Sequence, residues 1–299
     1  MKPQPIIHCV TILDCSNVPG CAVEFFYALE LDFSTWKDEE SGQVRYTIYC
    51  RDEEHAKQVA TRIKEILPMW QEYGVVLDEI RLDKIKKEDW AESWKIHFKP
   101  IEVSPHIVVK PSWESYPELP GKHVIVLDPG MSFGTGQHAT TKSCIAAIDR
   151  FVSESQEKNL SFLDAGCGSG ILFIAAKLLG CHDVRAFDID PDVIPIACEN
   201  AKVNHIDSTQ FQIQVAALLD YPNDTKFDIV AANILSSALL EGKEHLVSLV
   251  KPDGILILAG ILATEYDNIR NVFQAMGCKE LSNSTEREWK GGVFRTPKE

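Results

Sequence analysis

Residues 160–188 read LSFLDAGCGSGILFIAAKLLGCHDVRAFD: an apolar strand, a loop with glycine at 166, 168 and 170, an apolar helix, and a second strand ending on a carboxylate. This order makes a β-α-β unit of the kind that cradles a nucleotide. Glycines let the chain turn sharply and let a ligand approach the backbone. At the start of the following helix, N–H groups are expected to point outward. The loop runs D-x-G-x-G-x-G from Asp164 to Gly170. The third glycine of a dinucleotide fingerprint falls at the position held by Ile171. Close helix–strand packing requires glycine there, so the dehydrogenase reading fails.

The rhythm continues on both sides. Apolar periodicity predicts helices over 140–151, 170–179, 191–204, 236–250 and 264–276, and strands over 160–165, 184–188, 211–215, 227–232 and 254–259. Residues 277–296 read as a closing hairpin. Strands alternating with helices predict an α/β fold: a doubly wound, mainly parallel seven-stranded sheet whose tail runs antiparallel. A strand pair is expected over 106–113 and 122–127. The first 80 or so residues read strand–helix–strand–helix, over 6–13, 18–29, 44–50 and 52–67, with Pro68 closing the last helix. That order suits a small ferredoxin-like α/β domain. Residues 83–104 are charged and carry Trp90 and Trp94 on one helical face, a linker helix. The expected domains are therefore 1–82, the linker 83–104, and 105–299.

Hydrophobic residues make up 45% of the chain, enough for packed cores. Acidic residues number 44 against 30 basic ones, a net charge of −14. Such a surface repels a phosphate backbone and disfavours direct nucleic-acid binding. It favours a basic, lysine-rich partner, or simply keeps the chain soluble. The nine cysteines form no C-x-x-C pair, which points to reduced thiols and to no metal site. No run approaches the ~20 apolar residues of a membrane helix, and MKPQPIIHCVTILDC lacks a signal-peptide pattern. The expectation is a cytoplasmic protein with no membrane partner.

Three further positions carry chemistry. Asp188 ends the second strand, where an acidic side chain accepts hydrogen bonds from ribose hydroxyls; the plainer reading is an ordinary strand-end carboxylate. Asp190 is expected to cap the helix that begins near Pro191. Asn233 ends the strand FDIVAA, beside the switch point of a doubly wound sheet; it touches a cofactor, orients an attacking amine, or merely caps a turn. The segment DPGMSFGTGQHATT, 128–141, places Phe133 and Gly134 in a loop that either folds over a ligand or is only a turn. Thr140 or Thr141 opens the next helix, and His138 is an acid–base group or a local hydrogen-bonding residue.

The segments DPGMSFGTGQHATT, FLDAGCGSGILFIAAKLLG, FDIDPDVIPIACENAKVN, VAANIL and LAGILATE, in this order, closely resemble the bacterial ribosomal protein L11 methyltransferases. WKIHFKPIEVSPHIVVKPSW is similar to that family's junction between linker and catalytic domain. The resemblance covers roughly residues 90–265. It implies methyl transfer from S-adenosylmethionine to lysine ε-amines and the N-terminal amine of a large-subunit ribosomal protein, gripped by the N-terminal domain of a monomer. Cofactor contacts implied by the resemblance fall on Thr141, Gly166, Asp188 and Asn233. Asp164, Gly168, Phe133 and Gly134 join them from the loops, and Asn233 is the candidate catalytic residue. The chain departs from the family at Gln137 and in its first 80 residues, which puts the substrate more in question than the cofactor. Rival readings are an N-methyltransferase acting on a small molecule or a nucleic-acid base, and an inactive scaffold that binds S-adenosylmethionine.

Overall fold

Val44, Tyr46, Ile48 and Cys50 alternate with more exposed neighbours, and the alternation becomes a strand with those four side chains buried. In the computed structural model, the described residues are 6–16, 22–29, 31–37, 43–71, 73–86, 98–128 and 138–298. They fall into two units, residues 1–97 and 98–299.

The first unit runs β1 (Ile6–Asp14), α1 (Val23–Ala28), β2 (Phe33–Lys37), β3 (Val44–Cys50), α2 (Glu53–Gln71) and β4 (Leu77–Lys86). Its sheet is antiparallel in the order β2-β3-β1-β4, the ferredoxin-like arrangement expected. Ala56, Val59, Ala60, Ile63 and Trp70 are the buried face of α2. Phe26 meets Tyr46 and Trp70 edge-on, with centroids at 4.9 and 5.9 Å. Three expectations change here. Helix α2 runs through Pro68 to Gln71, because Trp70 is buried in the core and keeps the last turn docked. Strand β2 was hidden by its short, largely exposed sequence FSTWK. Strand β4 was hidden by its charge, and its residues Asp83 to Lys86 pair with Cys9 to Ile6. The linker helix therefore does not start at 83. Trp90 and Trp94 lie outside the described residues.

The second unit opens with a three-stranded sheet of β5 (Ile101–Glu102), β6 (Ile107–Lys110) and β7 (His123–Val126). Strand β5 also falls inside the stretch expected to be helical linker. Then follow α3 (Ala139–Glu154), β8 (Ser161–Ala165), α4 (Ile171–Leu178), β9 (Asp183–Asp188), α5 (Val193–Val203), β10 (Gln212–Val215) and β11 (Phe227–Asn233). The chain closes with α6 (Ser236–Glu241), α7 (Lys243–Ser248), β12 (Val250–Leu262), α8 (Tyr266–Ala275), β13 (Lys279–Glu286) and β14 (Trp289–Arg295). The seven-stranded sheet has the order β10-β9-β8-β11-β12-β14-β13. Neighbours from β10 to β12 are parallel, and β14 runs against both β12 and β13. From β8 the chain steps one way to β10, then returns to β11 on the other side. The switch point lies between β8 and β11, where ligands of doubly wound sheets bind.

One face of this sheet, with Phe162, Ile229 and Ile257, packs on α3, α4 and α5. The other, with Leu163, Val230 and Leu256, packs on α6, α7 and α8. The helix expected over 236–250 is broken in two at Gly242. A Cβ there would meet the Leu218 side chain, which would have to shift to admit any other residue. No helix among the described residues is long and apolar enough to cross a membrane.

Helix α3 is tied to the small sheet by Asp149, which is 1% exposed. Its Oδ2 accepts from the His106 backbone N–H at 2.9 Å, its Oδ1 lies 2.7 Å from His106 Nδ1, and Ser153 Oγ donates to Oδ1 at 3.0 Å. Burial pushes this carboxyl up, but hydrogen bonds from Ser104, His106 and Ser153 more than offset it and hold the group below the usual range. Its contribution to stability is therefore present above the unfolded pKa and lost as pH falls through the folded one. Asp149→Ala is expected to cost about 2–4 kcal/mol at pH 7, read from urea midpoints, with the deficit shrinking at pH 3.

Candidate functional site

The glycine loop joins β8 to α4, and all three of its glycines have positive φ: Gly166 at 83°, Gly168 at 50° and Gly170 at 83°. Only glycine takes these values at no steric cost. At Gly166 space forbids a side chain as well, since a Cβ would lie 2.4 Å from Ile234 Cγ2. That approach brings the loop against the residue after Asn233. Gly260 presses on the same residue from β12, where a Cβ would sit 2.4 Å from the Ile234 carbonyl oxygen. Ile234 is thus held from both sides, and Asn233 with it.

Most of the loop's N–H groups do not point outward as the sequence suggested. Gly166 and Cys167 both donate to the Phe187 carbonyl, at 2.9 and 3.0 Å. Gly168 donates to Asp188 Oδ2 at 2.8 Å, and Gly170 donates to the Cys167 carbonyl at 2.8 Å. The first three donors hold the loop to β9 and the fourth closes the loop on itself, because a buried amide must find some acceptor. What the loop offers a ligand is bare backbone surface. Asn200 of α5 supports it further, donating from Nδ2 to the Ser169 carbonyl at 2.9 Å. Asp188 is half-buried; its Oδ1 accepts from the Asp190 N–H at 3.0 Å, and each of its oxygens keeps a lone pair for another donor. Asp190 in turn accepts from the Asp192 N–H at 2.9 Å, within the turn before α5. The helix begins at Val193 and its N-cap is Asp192, not Asp190 as expected, because that turn carries the chain two residues further before the helix starts.

Asp164 is fully buried on the face of β8 that α3 and α4 cover. Its Oδ2 accepts from the Phe173 N–H at 3.1 Å. Desolvation, with a smaller contribution from the Asp188 charge, pushes its carboxyl up to about 7. The first turns of α3 come close, since the same carboxylate helps to raise the buried Cys144 thiol after burial itself. Thr141 precedes Cys144 by one helical turn and is also fully buried. Burial, then Asp164 and Asp188, push the Cys167 thiol up as well, so this loop cysteine is no nucleophile.

Among the described residues, four buried side-chain atoms find no hydrogen-bond partner: Thr141 Oγ1, Asp164 Oδ1, Asn233 Oδ1 and Ser236 Oγ. Orphaned buried polar atoms are rare in folded proteins, and each needs a reason. Three of these residues are ones the sequence singled out. The fourth, Ser236, had no signal, because a serine opening a helix reads as a cap. Two large apolar side chains also stand out toward solvent at this end of the sheet, Ile189 at 71% and Leu235 at 72% exposure. Each follows a candidate site residue, Asp188 or Asn233, by one or two positions. Phe133 and Gly134 lie outside the described residues.

His138, not Thr140 or Thr141, is the N-cap of α3. Its Nδ1 accepts from the Thr140 N–H at 3.4 Å and lies 2.8 Å from Thr140 Oγ1, while its ring meets Trp289 edge-on at 5.1 Å. The Nδ1 lone pair is thereby committed to the cap.

Buried orphan atoms, a left-handed glycine loop and a strand-end carboxylate, gathered at the carboxyl ends of β8, β9 and β11, fit a nucleoside carrying polar and cationic groups. Known proteins agree in kind. The model of the family "Ribosomal protein L11 methyltransferase (PrmA)" matches residues 10–296. A ribosomal protein L11 methyltransferase of Citrifermentans bemidjiense is 40% identical over 215 residues, 71% of this chain and 69% of its own. One from Streptococcus agalactiae is 31% identical over 259 residues, 86% and 80% of the two chains. The crystal structure of a ribosomal protein L11 methylase from Lactobacillus delbrueckii subsp. bulgaricus superposes with a TM-score of 0.60 at 33% identity, covering 68% of this chain and all of that one.

Proposed function

Because the chain belongs to the ribosomal protein L11 methyltransferase family, we propose that it moves methyl groups from S-adenosylmethionine to lysine ε-amines and the N-terminal amine of ribosomal protein L11. The observation that carries this reading is the coincidence of orphaned buried atoms with expected cofactor contacts: Thr141 and Asn233 from the resemblance, and Asp164 from the glycine loop. The first unit is read as the domain that holds the protein substrate. A basic partner suits a chain with a net charge of −14.

When bound, S-adenosylmethionine supplies a sulfonium-activated methyl group that breaks from sulfur as a nucleophile's lone pair reaches the carbon. In this reading Asp188 takes the ribose hydroxyls on the lone pairs left by Gly168 and Asp190. Ile189 gives the base an apolar platform, and Gly166 and Gly168 let the nucleoside approach the backbone. Asp164 and Thr141 answer further polar groups of the ligand. Asn233 Oδ1 accepts an N–H of the incoming amine and aims its lone pair. A lysine amine has a pKa of about 10.4 and must be neutral to attack. Desolvation at the buried Asn233 lowers that value and leaves the proton to water, so orientation supplies most of the rate.

The test is a transfer assay with labelled cofactor, offering recombinant ribosomal protein L11 and ribosomal RNA separately. Label in the protein, and a fall of about 100-fold for Asn233→Ala, is the expected outcome. Label in RNA, or in neither, overturns the reading.

A further inference from the structure

Ser236 is the one orphaned atom that the reading above leaves without a purpose. It stands three residues beyond Asn233, at the first position of α6, and its Oγ is buried without a partner, as is Asn233 Oδ1. The two are not hydrogen-bonded to each other. Both belong to one short segment that cannot easily rearrange to satisfy them. Ile234 is wedged between Gly166 and Gly260, and Leu235 is extended, with φ −61° and ψ 144°. Between the two orphans, Leu235 presents a large apolar side chain that is 72% exposed.

Resting on the proposed function, we propose that Ser236 is a second amine-contact residue and that it sets how readily the first methyl groups are transferred relative to the last. A neutral lysine amine carries two N–H bonds and one lone pair. Asn233 Oδ1 and Ser236 Oγ together accept both N–H bonds, which leaves the lone pair directed at the methyl carbon. The exposed Leu235 side chain suits the aliphatic stem of the lysine. In each transfer the ammonium first gives one proton to water, a nitrogen–carbon bond then forms from the freed lone pair, and the carbon–sulfur pair stays with sulfur. Monomethyl-lysine has one N–H to offer and dimethyl-lysine none. The pair therefore favours early transfers, and its second member gives no help to the last.

Two forms of one probe separate these steps: recombinant ribosomal protein L11, unmodified, and the same protein with every lysine reductively dimethylated. Ser236→Ala is expected to lower kcat/KM on the unmodified protein by about 10-fold or more, with a far smaller change on the dimethylated one. The ratio between the two then collapses, and early product masses shift away from the lower methylation states relative to the wild type. Without cofactor, calorimetry is expected to show the wild type preferring unmodified over dimethylated protein and Ser236→Ala losing that preference. Cofactor affinity stays within about 2-fold, and Ser236→Thr, which keeps the hydroxyl, restores the ratio. An unchanged ratio, or a cofactor affinity that falls with the rate, overturns the assignment while leaving the proposed function standing. No transfer by the wild type to either form overturns both.

Discussion

Asp188→Ala is expected to weaken binding of S-adenosylmethionine by at least about 100-fold, measured by titration calorimetry. The carboxylate has two tasks. Its Oδ2 holds the Gly168 N–H at 2.8 Å and its Oδ1 holds the Asp190 N–H at 3.0 Å, so it fastens the glycine loop to the end of β9. Its remaining lone pairs are those assigned to the ribose. Alanine removes both at once: two charge-assisted hydrogen bonds within the chain and one or two to the ligand. Hydrogen bonds to charged groups contribute about 1.5–3 kcal/mol each, so two lost to the ligand and the loop exceed a 100-fold change. Asp188→Asn keeps one acceptor and the shape, and is expected to lose about 10-fold. The variant is expected to melt at a lower temperature too, because the bonds to Gly168 and Asp190 go with the carboxylate, so affinities are compared where both proteins are folded. A tight complex with Asp188→Ala would place the nucleoside elsewhere in the molecule.

That pairing of loop and carboxylate shows what the amino-acid sequence makes legible. The D-x-G-x-G-x-G pattern, the acid at 188 and the asparagine at 233 are local patterns anchored to strand ends, and strand ends are readable from apolar runs such as FDIVAA. The seven-stranded sheet was legible for the same reason. Where the N–H groups of residues 166–170 go was not legible, because Phe187 and Asp188 are brought to them only by parallel pairing of β8 and β9. Ser236 was invisible because nothing in SSAL distinguishes a buried hydroxyl from an exposed one, and Ser237 beside it is exposed. In the first unit, β4 was missed because LDEIRLDKIK alternates charge with few apolar residues, a pattern that a solvated strand shares with a charged linker. Gly242 reads as a weak helix residue until Leu218, far away in sequence, is packed against it.

Asp164→Asn should separate stability from function in opposite directions. A carboxyl raised to about 7 in the folded chain, against about 3.9 unfolded, binds its proton more tightly when folded. By linkage, stability falls as pH rises from about 4 to about 7, and is level beyond. A rise of that size corresponds to about 4 kcal/mol. Asparagine does not ionise and can still accept from the Phe173 N–H. Relative to the wild type, the ligand-free variant is therefore expected to gain about 2–4 kcal/mol between pH 4 and pH 8, read from urea midpoints at both. Cofactor binding is expected to go the other way. The wild type at pH 8 holds an unpaired buried anion, which a cationic ligand relieves, so binding at pH 6 should expel a proton and show a heat that varies with the buffer. Asp164→Asn has no anion to relieve and no proton to expel; it should bind at least about 10-fold more weakly at pH 8, with a buffer-independent heat. A variant that is less stable than the wild type at pH 8, or that keeps the buffer dependence, would mean that the carboxylate is already compensated within the chain and that the ligand's charge rests on another residue.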